Sequence, residues 1–104
     1  MAEMYRIDFF STSDFNKHAG RKFYQSEAQY KRRFKKRSLE VDKQNKLTMD
    51  LGGRYSLIFI RGYKLENGEW KQIDEYGIKE WYEPNKDKID VKNKKKKDVY
   101  SIGL

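Results

Sequence analysis

From Lys31 to Arg37 the chain reads KRRFKKR, six positive charges in seven positions with Phe34 as the one interruption. Lysine and arginine at this density suit one task above all, the neutralisation of phosphates. Each phosphate met releases condensed counterions, which gives strong, salt-dependent and sequence-independent affinity. An acidic protein surface would use the same side chains, and the simplest alternative is a well-solvated helix face. Like charges three and four residues apart on a helix repel by roughly 0.2–0.5 kcal/mol per pair, a cost that a polyanion would relieve. The predicted phosphate contacts are therefore Lys31, Arg32, Arg33, Lys35, Lys36 and Arg37, with Arg21 and Lys22 nearby. A second run, Lys92 and Lys94 to Lys97, fits either a solubilising tail or an arm trailing along a phosphate backbone.

Other chemistries find little support. His18 is the sole histidine, and cysteine is absent, which excludes disulfides, thiolate zinc sites and cysteine nucleophiles. The acidic residues in DEY and DKID have no spacing that picks out a metal site or a general acid–base pair. Gly52-Gly53 lacks the Lys-Ser/Thr that a phosphate-cradling loop needs. No cofactor and no catalytic activity are expected. Tyr55, Tyr63, Trp70, Tyr76, Trp81 and Tyr82 are candidates for stacking on unpaired bases, with core packing as the competing role for each.

The 104 residues are enough for one small core. Only 37% are hydrophobic against 38% charged, but aromatics at 15% each bury a large apolar area. The net charge of +8 is uneven. Residues 1–50 carry twelve basic and seven acidic side chains, residues 51–83 five and six, and residues 84–104 seven and three. The excess thus sits in KRRFKKR and KNKKKK, where it raises the local potential and attracts polyanions. No stretch approaches the roughly 18 apolar residues of a membrane span, and MAEMYRIDFF lacks the pattern of a secretory leader. A cytoplasmic location is expected.

Several elements must position these groups. MYRIDFF, Met4 to Phe10, alternates as a strand with Tyr5, Ile7 and Phe9 on one face. Residues 15–25 read either as a short helix ending at Gly20 or as an ordered loop. Ser26 and Gln29 form a capping-box pattern that opens a helix over residues 27–38. Tyr30 and Phe34 share a face of that helix, with Phe23 on or near it, and the basic cluster lies toward its negative end. Residues 39–51 alternate at period two and read as a hairpin turning at Asp42-Lys43-Gln44-Asn45. Arg54 to Leu65 reads as a central strand, apolar on both faces. Asn67-Gly68 is a hairpin-turn signal, followed by a return strand over residues 69–76. Gly77 suits a bulge, and IKEWYE would continue the sheet up to Pro84.

Two resemblances attach to these segments. IRGYKLENGEWKQIDEYGI, Ile60 to Ile78, is similar to the central hairpin of the transcriptional-coactivator type of single-stranded-DNA-binding sheet. It shares an Ile-Arg-x-Tyr strand core, a Gly-Glu turn and a Gly-Ile return. The order of an opening strand, a basic helical region and a sheet containing RYSLIFIRGY also resembles the RelE-type ribosome-dependent RNases. Those enzymes work with Lys, Arg and Tyr rather than a metal, so that likeness singles out Arg54, Arg61 and Tyr63.

The expected fold is α+β, with one basic helix packed on a small, mostly antiparallel sheet with hairpins. Residues 1–83 would form the domain, and residues 84–104 a flexible Lys-rich segment. The expected function is non-enzymatic binding of nucleic acid, DNA or RNA. The alternative is a phage or mobile-element protein that inhibits a host protein or nucleoprotein complex through an acidic surface on that partner.

Overall fold

The computed structural model describes residues 3–52 and 56–86. The fold is α+β, a four-stranded sheet with one long helix on one face. The strands are β1 (Tyr5–Ser11), β2 (Gly20–Tyr24), β3 (Ile58–Glu66) and β4 (Glu69–Tyr76), in the order β2-β1-β3-β4. Every pairing is antiparallel. The two central strands carry the apolar residues. Tyr5, Ile7 and Ile60 are buried beneath the helix, and Phe10 and Phe59 are buried on the opposite face. Side chains alternate across a strand, so β1 and β3 can supply both layers, in keeping with a central strand apolar on both faces.

Helix α1 spans Glu27–Asp50 and joins β2 to β3. It starts where the capping signal places it: Ser26 is extended, and its hydroxyl accepts a hydrogen bond from the Gln29 amide at 3.0 Å. It does not end near Ser38. The hairpin expected over residues 39–51 is instead the second half of α1, which stops at Leu51 with Gly52 at a left-handed φ of 86°. The inward positions explain the continuation. Tyr30, Phe34, Val41, Asn45 and Thr48 recur at helical spacing and are buried or half-buried. Leu39, Leu47 and Leu51, which suggested alternation, are all exposed.

Polar side chains hold much of this helix to the sheet. The Asn45 amide donates to the Ile58 carbonyl and accepts from the Ile58 amide, both at 2.8 Å. Asp42 Oδ1 accepts from the Tyr76 hydroxyl at 2.7 Å and from the Trp81 indole at 2.8 Å. The Tyr30 ring stacks on Tyr5, and its hydroxyl donates to Asp74 at 2.7 Å. It lies so close over Gly62 that a Cβ there would collide with the Tyr30 hydroxyl.

The segment left open as a helix or loop is a loop to Ala19 followed by β2. The β3–β4 hairpin turns at Asn67 and Gly68, both at positive φ, as the Asn-Gly signal requires. A register shift between Gly62 and Tyr63 marks a bulge in this pair. Strand β4 ends at Tyr76, and IKEWY does not extend the sheet. It forms one turn of π-helix, Ile78–Tyr82. Gly77 opens that turn at φ 117°, packed so closely on Phe59 that a side chain would clash. The turn carries Trp81 back to Asp42. The Lys-rich run Lys92–Lys97, the final VYSIGL, Arg54 and Tyr55 lie outside the described residues.

Candidate nucleic-acid interface

Packing uses one face of α1 and leaves the other to solvent. Lys31, Arg32, Arg33, Lys35 and Lys36 are exposed, whereas Arg37 is half-buried, with its guanidinium over the Phe9 ring. Because α1 continues to Asp50, Lys43 and Lys46 join them. Arg32, Lys36, Lys43 and Lys46 fall at helical spacings of four, seven and three, and so form one outward row. That row runs for roughly 21 Å at 1.5 Å per residue. DNA advances roughly 3.4 Å per phosphate along one strand, so the row matches about six phosphates. Assignment of residues 39–51 to a hairpin hid Lys43 and Lys46, while the continued i, i+4 spacing was the signal that could have found them.

Few of these charges are engaged. Lys31 pairs with Glu27 at 2.9 Å, and Arg37 with Glu40 at 2.8 Å. The hydrogen bond and charge of Glu27 raise the Lys31 ammonium above its ordinary value, and Lys31 lowers the Glu27 carboxyl in return. Hydrogen bonding to Glu40 likewise raises Arg37. Arg32, Arg33, Lys35, Lys36, Lys43 and Lys46 make no ion pair with any described residue. Arg32, Arg33 and Lys36 together line a shallow depression on the outer surface.

Arg21 does not join this surface. Arg21 lies on the helix-free face of the sheet, where its Nε and one terminal nitrogen donate to the two Asp8 carboxylate oxygens at 3.0 and 3.1 Å. His18 Nδ1 lies 3.4 Å from the same guanidinium. Lys22 is exposed on the edge strand β2, opposite Ile7.

The aromatic candidates separate by face. Tyr76 and Trp81 bind Asp42 under the helix and serve packing. Tyr82 meets Phe15 edge-on, 5.4 Å away. Tyr63 and Trp70 lie on the helix-free face. Arg6 sits over both, 4.2 Å from the Tyr63 ring centre and 4.7 Å from that of Trp70. Phe23, expected beside the helix stripe, is on this opposite face as well, 5.8 Å from Trp70 and 54% exposed. Arg61 donates to Glu75 at 3.0 Å and covers Phe10 and Phe59. The arginine and tyrosine that the ribonuclease likeness singled out, Arg61 and Tyr63, thus share a face with these rings. An opening hairpin, β1–β2, stands where that likeness places one opening strand.

Among the described residues no cluster of three or more His, Cys, Asp or Glu could hold a metal, and no helix is long and apolar enough to cross a membrane. Comparison with known proteins gives no match: no family model, curated protein or solved structure is significantly similar to this chain.

Proposed function

We propose that the protein binds nucleic acid through the outward face of α1, with Arg32, Arg33, Lys35, Lys36, Lys43 and Lys46 as phosphate contacts and Lys31 at their margin. One observation carries this reading. A helix whose inner face packs on the sheet presents on its outer face a row of cations that make no ion pair with any described residue. Fixed cations of this kind neutralise phosphates and read no bases, so binding is general in sequence. Nothing in the row requires a reaction.

A second reading is favoured by Leu39 and Leu47, which are 63% and 53% exposed within the same outward surface. Apolar side chains among cations suit a protein partner whose surface is acidic with apolar patches. Charge-complementary protein interfaces are also salt-sensitive, so ligand identity must separate the two. The test is binding of labelled duplex DNA and of poly-glutamate to the native chain and to Arg32→Gln/Arg33→Gln/Lys35→Gln/Lys36→Gln. Preference for DNA that the substitutions abolish supports phosphate binding. Equal binding of poly-glutamate, or DNA affinity unmoved by the substitutions, refutes it. A partner lost on Leu39→Gln/Leu47→Gln with DNA binding unchanged would establish the second reading.

A further inference from the structure

The helix-free face of the sheet is finished differently at its two ends. At one end, Phe15 lies against Phe59 and Tyr82 lies edge-on against Phe15, and Phe10 and Phe59 are buried. At the other end no described element lies over the same face: Phe23 is exposed, Tyr63 and Trp70 are half-buried, and Arg6 is buried between them. There, cross-strand neighbours bring together Arg6 from β1, Phe23 from β2, Tyr63 from β3 and Trp70 from β4. The Arg6 guanidinium bridges the Tyr63 and Trp70 rings, and its Nε lies 3.0 Å from Asp8 Oδ1. Asp8 is 2% exposed and also holds Arg21 through two hydrogen bonds, so one buried carboxylate pairs with both guanidinium groups. Phe23 stands at the rim, more than half exposed, next to Trp70.

We propose that Phe23 and Trp70, flanked by Arg6 and Arg21, form a second site that stacks the unpaired bases of single-stranded nucleic acid. This rests on the reading of the protein as a nucleic-acid binder but uses a different surface, since α1 covers the opposite face of the sheet. The chemistry of the site suits that ligand. A base offers a flat π-face to an exposed ring regardless of its identity, and the attached phosphates meet the excess of arginine over carboxylate. On this face Arg6, Arg21 and Arg61 outnumber Asp8 and Glu75. The rings are set before any ligand arrives, because Arg6 ties Tyr63 to Trp70 and Phe23 leans on Trp70, so little ordering is left to binding. A duplex keeps its base faces stacked internally and cannot use the site.

The two tryptophans make the test direct. Trp81→Phe leaves Trp70 as the only indole. Oligothymidylate should quench its fluorescence, whereas inorganic polyphosphate, a polyanion without bases, should bind without quenching. In the otherwise native chain, Phe23→Ala should weaken single-strand binding by roughly 5- to 150-fold, the usual range for one stacked base, and leave duplex binding unchanged. Phe23 is exposed enough for this variant to fold even if Trp81→Phe does not. Oligothymidylate binding with no quenching and no effect of Phe23→Ala overturns the platform and leaves the α1 reading standing. Quenching that persists while the α1 substitutions leave duplex affinity unchanged overturns the α1 reading alone. No binding of either polymer overturns both.

Discussion

Six cations on α1 that pair with no described residue set a number that salt can check. If Arg32, Arg33, Lys35, Lys36, Lys43 and Lys46 each neutralise one phosphate of duplex DNA, log affinity should fall with log salt at a slope of about −5.4, using −0.9 per contact. Between about 50 and 200 mM salt that is a loss of about 2,000-fold. Changing Lys43 and Lys46 to Gln leaves four contacts, a slope of about −3.6 and a loss of about 150-fold. Changing Arg32, Arg33, Lys35 and Lys36 instead leaves two contacts, about −1.8 and about 12-fold. These values are ceilings, because Arg33 and Lys35 stand on opposite flanks of the row. Their order is the prediction: the native slope is steepest, the double variant intermediate and the quadruple variant shallowest. Fluorescence anisotropy of a labelled duplex gives all three slopes, and far-UV circular dichroism confirms that the helix is intact. A double variant with the native slope would show that phosphates stop at the cluster. A quadruple variant with the native slope would refute the use of α1 altogether.

Asn45→Leu should cost about 2–6 kcal/mol in urea unfolding, because it strands the buried amide and carbonyl of Ile58 at about 1–3 kcal/mol each; a loss below about 1 kcal/mol would refute the anchoring role of Asn45. Gly62→Ala should destabilise by roughly 1–3 kcal/mol through overpacking against Tyr30. Adding Tyr30→Phe should recover part of that loss, since the colliding hydroxyl is gone, and strict additivity in the double-mutant cycle would contradict the contact. Hydrogen bonding to Asp42, with burial, pushes the Tyr76 phenol up to about 12, whereas unfolded tyrosines ionise near 10. The folded chain keeps a proton that the unfolded chain releases, so this contribution is complete below about pH 10 and is lost as pH rises toward about 12. Urea unfolding over that range should show a shallower decline for Tyr76→Phe than for the native chain, and parallel declines would count against the bond.

The parts of the fold that the sequence made legible are those with local signals. Ser26 marked the helix start, and Asn67-Gly68 marked the β3–β4 turn. The remainder depended on contacts distant in sequence. The second half of α1 turns inward at Asn45 and Thr48, which are polar, while Leu39 and Leu47 face water, so a count of apolar periodicity points the wrong way. Asn45 is buried only because Ile58 presents it with a free amide and carbonyl. Strand β2, GRKFY, has no aliphatic side chain, and its two rings, Phe23 and Tyr24, are adjacent rather than alternating, so it is recruited by its pairing with β1. The KRRFKKR surface was legible because density alone reveals it. The grouping of Arg6, Phe23, Tyr63 and Trp70 was not, because it takes one residue from each of four strands and only the register assembles it.

The length of α1 also changes the meaning of its charge. A helix ending near Ser38 would have placed the cluster at the negative end of its dipole, where cations are stabilised by about 0.3–1 kcal/mol each. With the end at Asp50, the cluster sits in the first half, and the last turn holds no basic residue. The backbone therefore offers the cluster no such support. Within it, Lys31–Lys35, Arg32–Lys35, Arg32–Lys36, Arg33–Lys36 and Arg33–Arg37 are like-charge neighbours at three or four residues, each repelling by roughly 0.2–0.5 kcal/mol. Arg32→Gln/Arg33→Gln/Lys35→Gln/Lys36→Gln removes all five pairs, at the cost of the favourable Lys36–Glu40 spacing. The variant should thus melt at or above the native temperature, with a gain of up to about 1–2 kcal/mol at low salt that shrinks as salt is added. A variant that melts several degrees lower would mean that the arginine and lysine stems hold the helix to the sheet, and the cluster would then have a structural reason to exist. A variant that is equally or more stable, yet no longer binds DNA, leaves the polyanion as the reason the charges are kept.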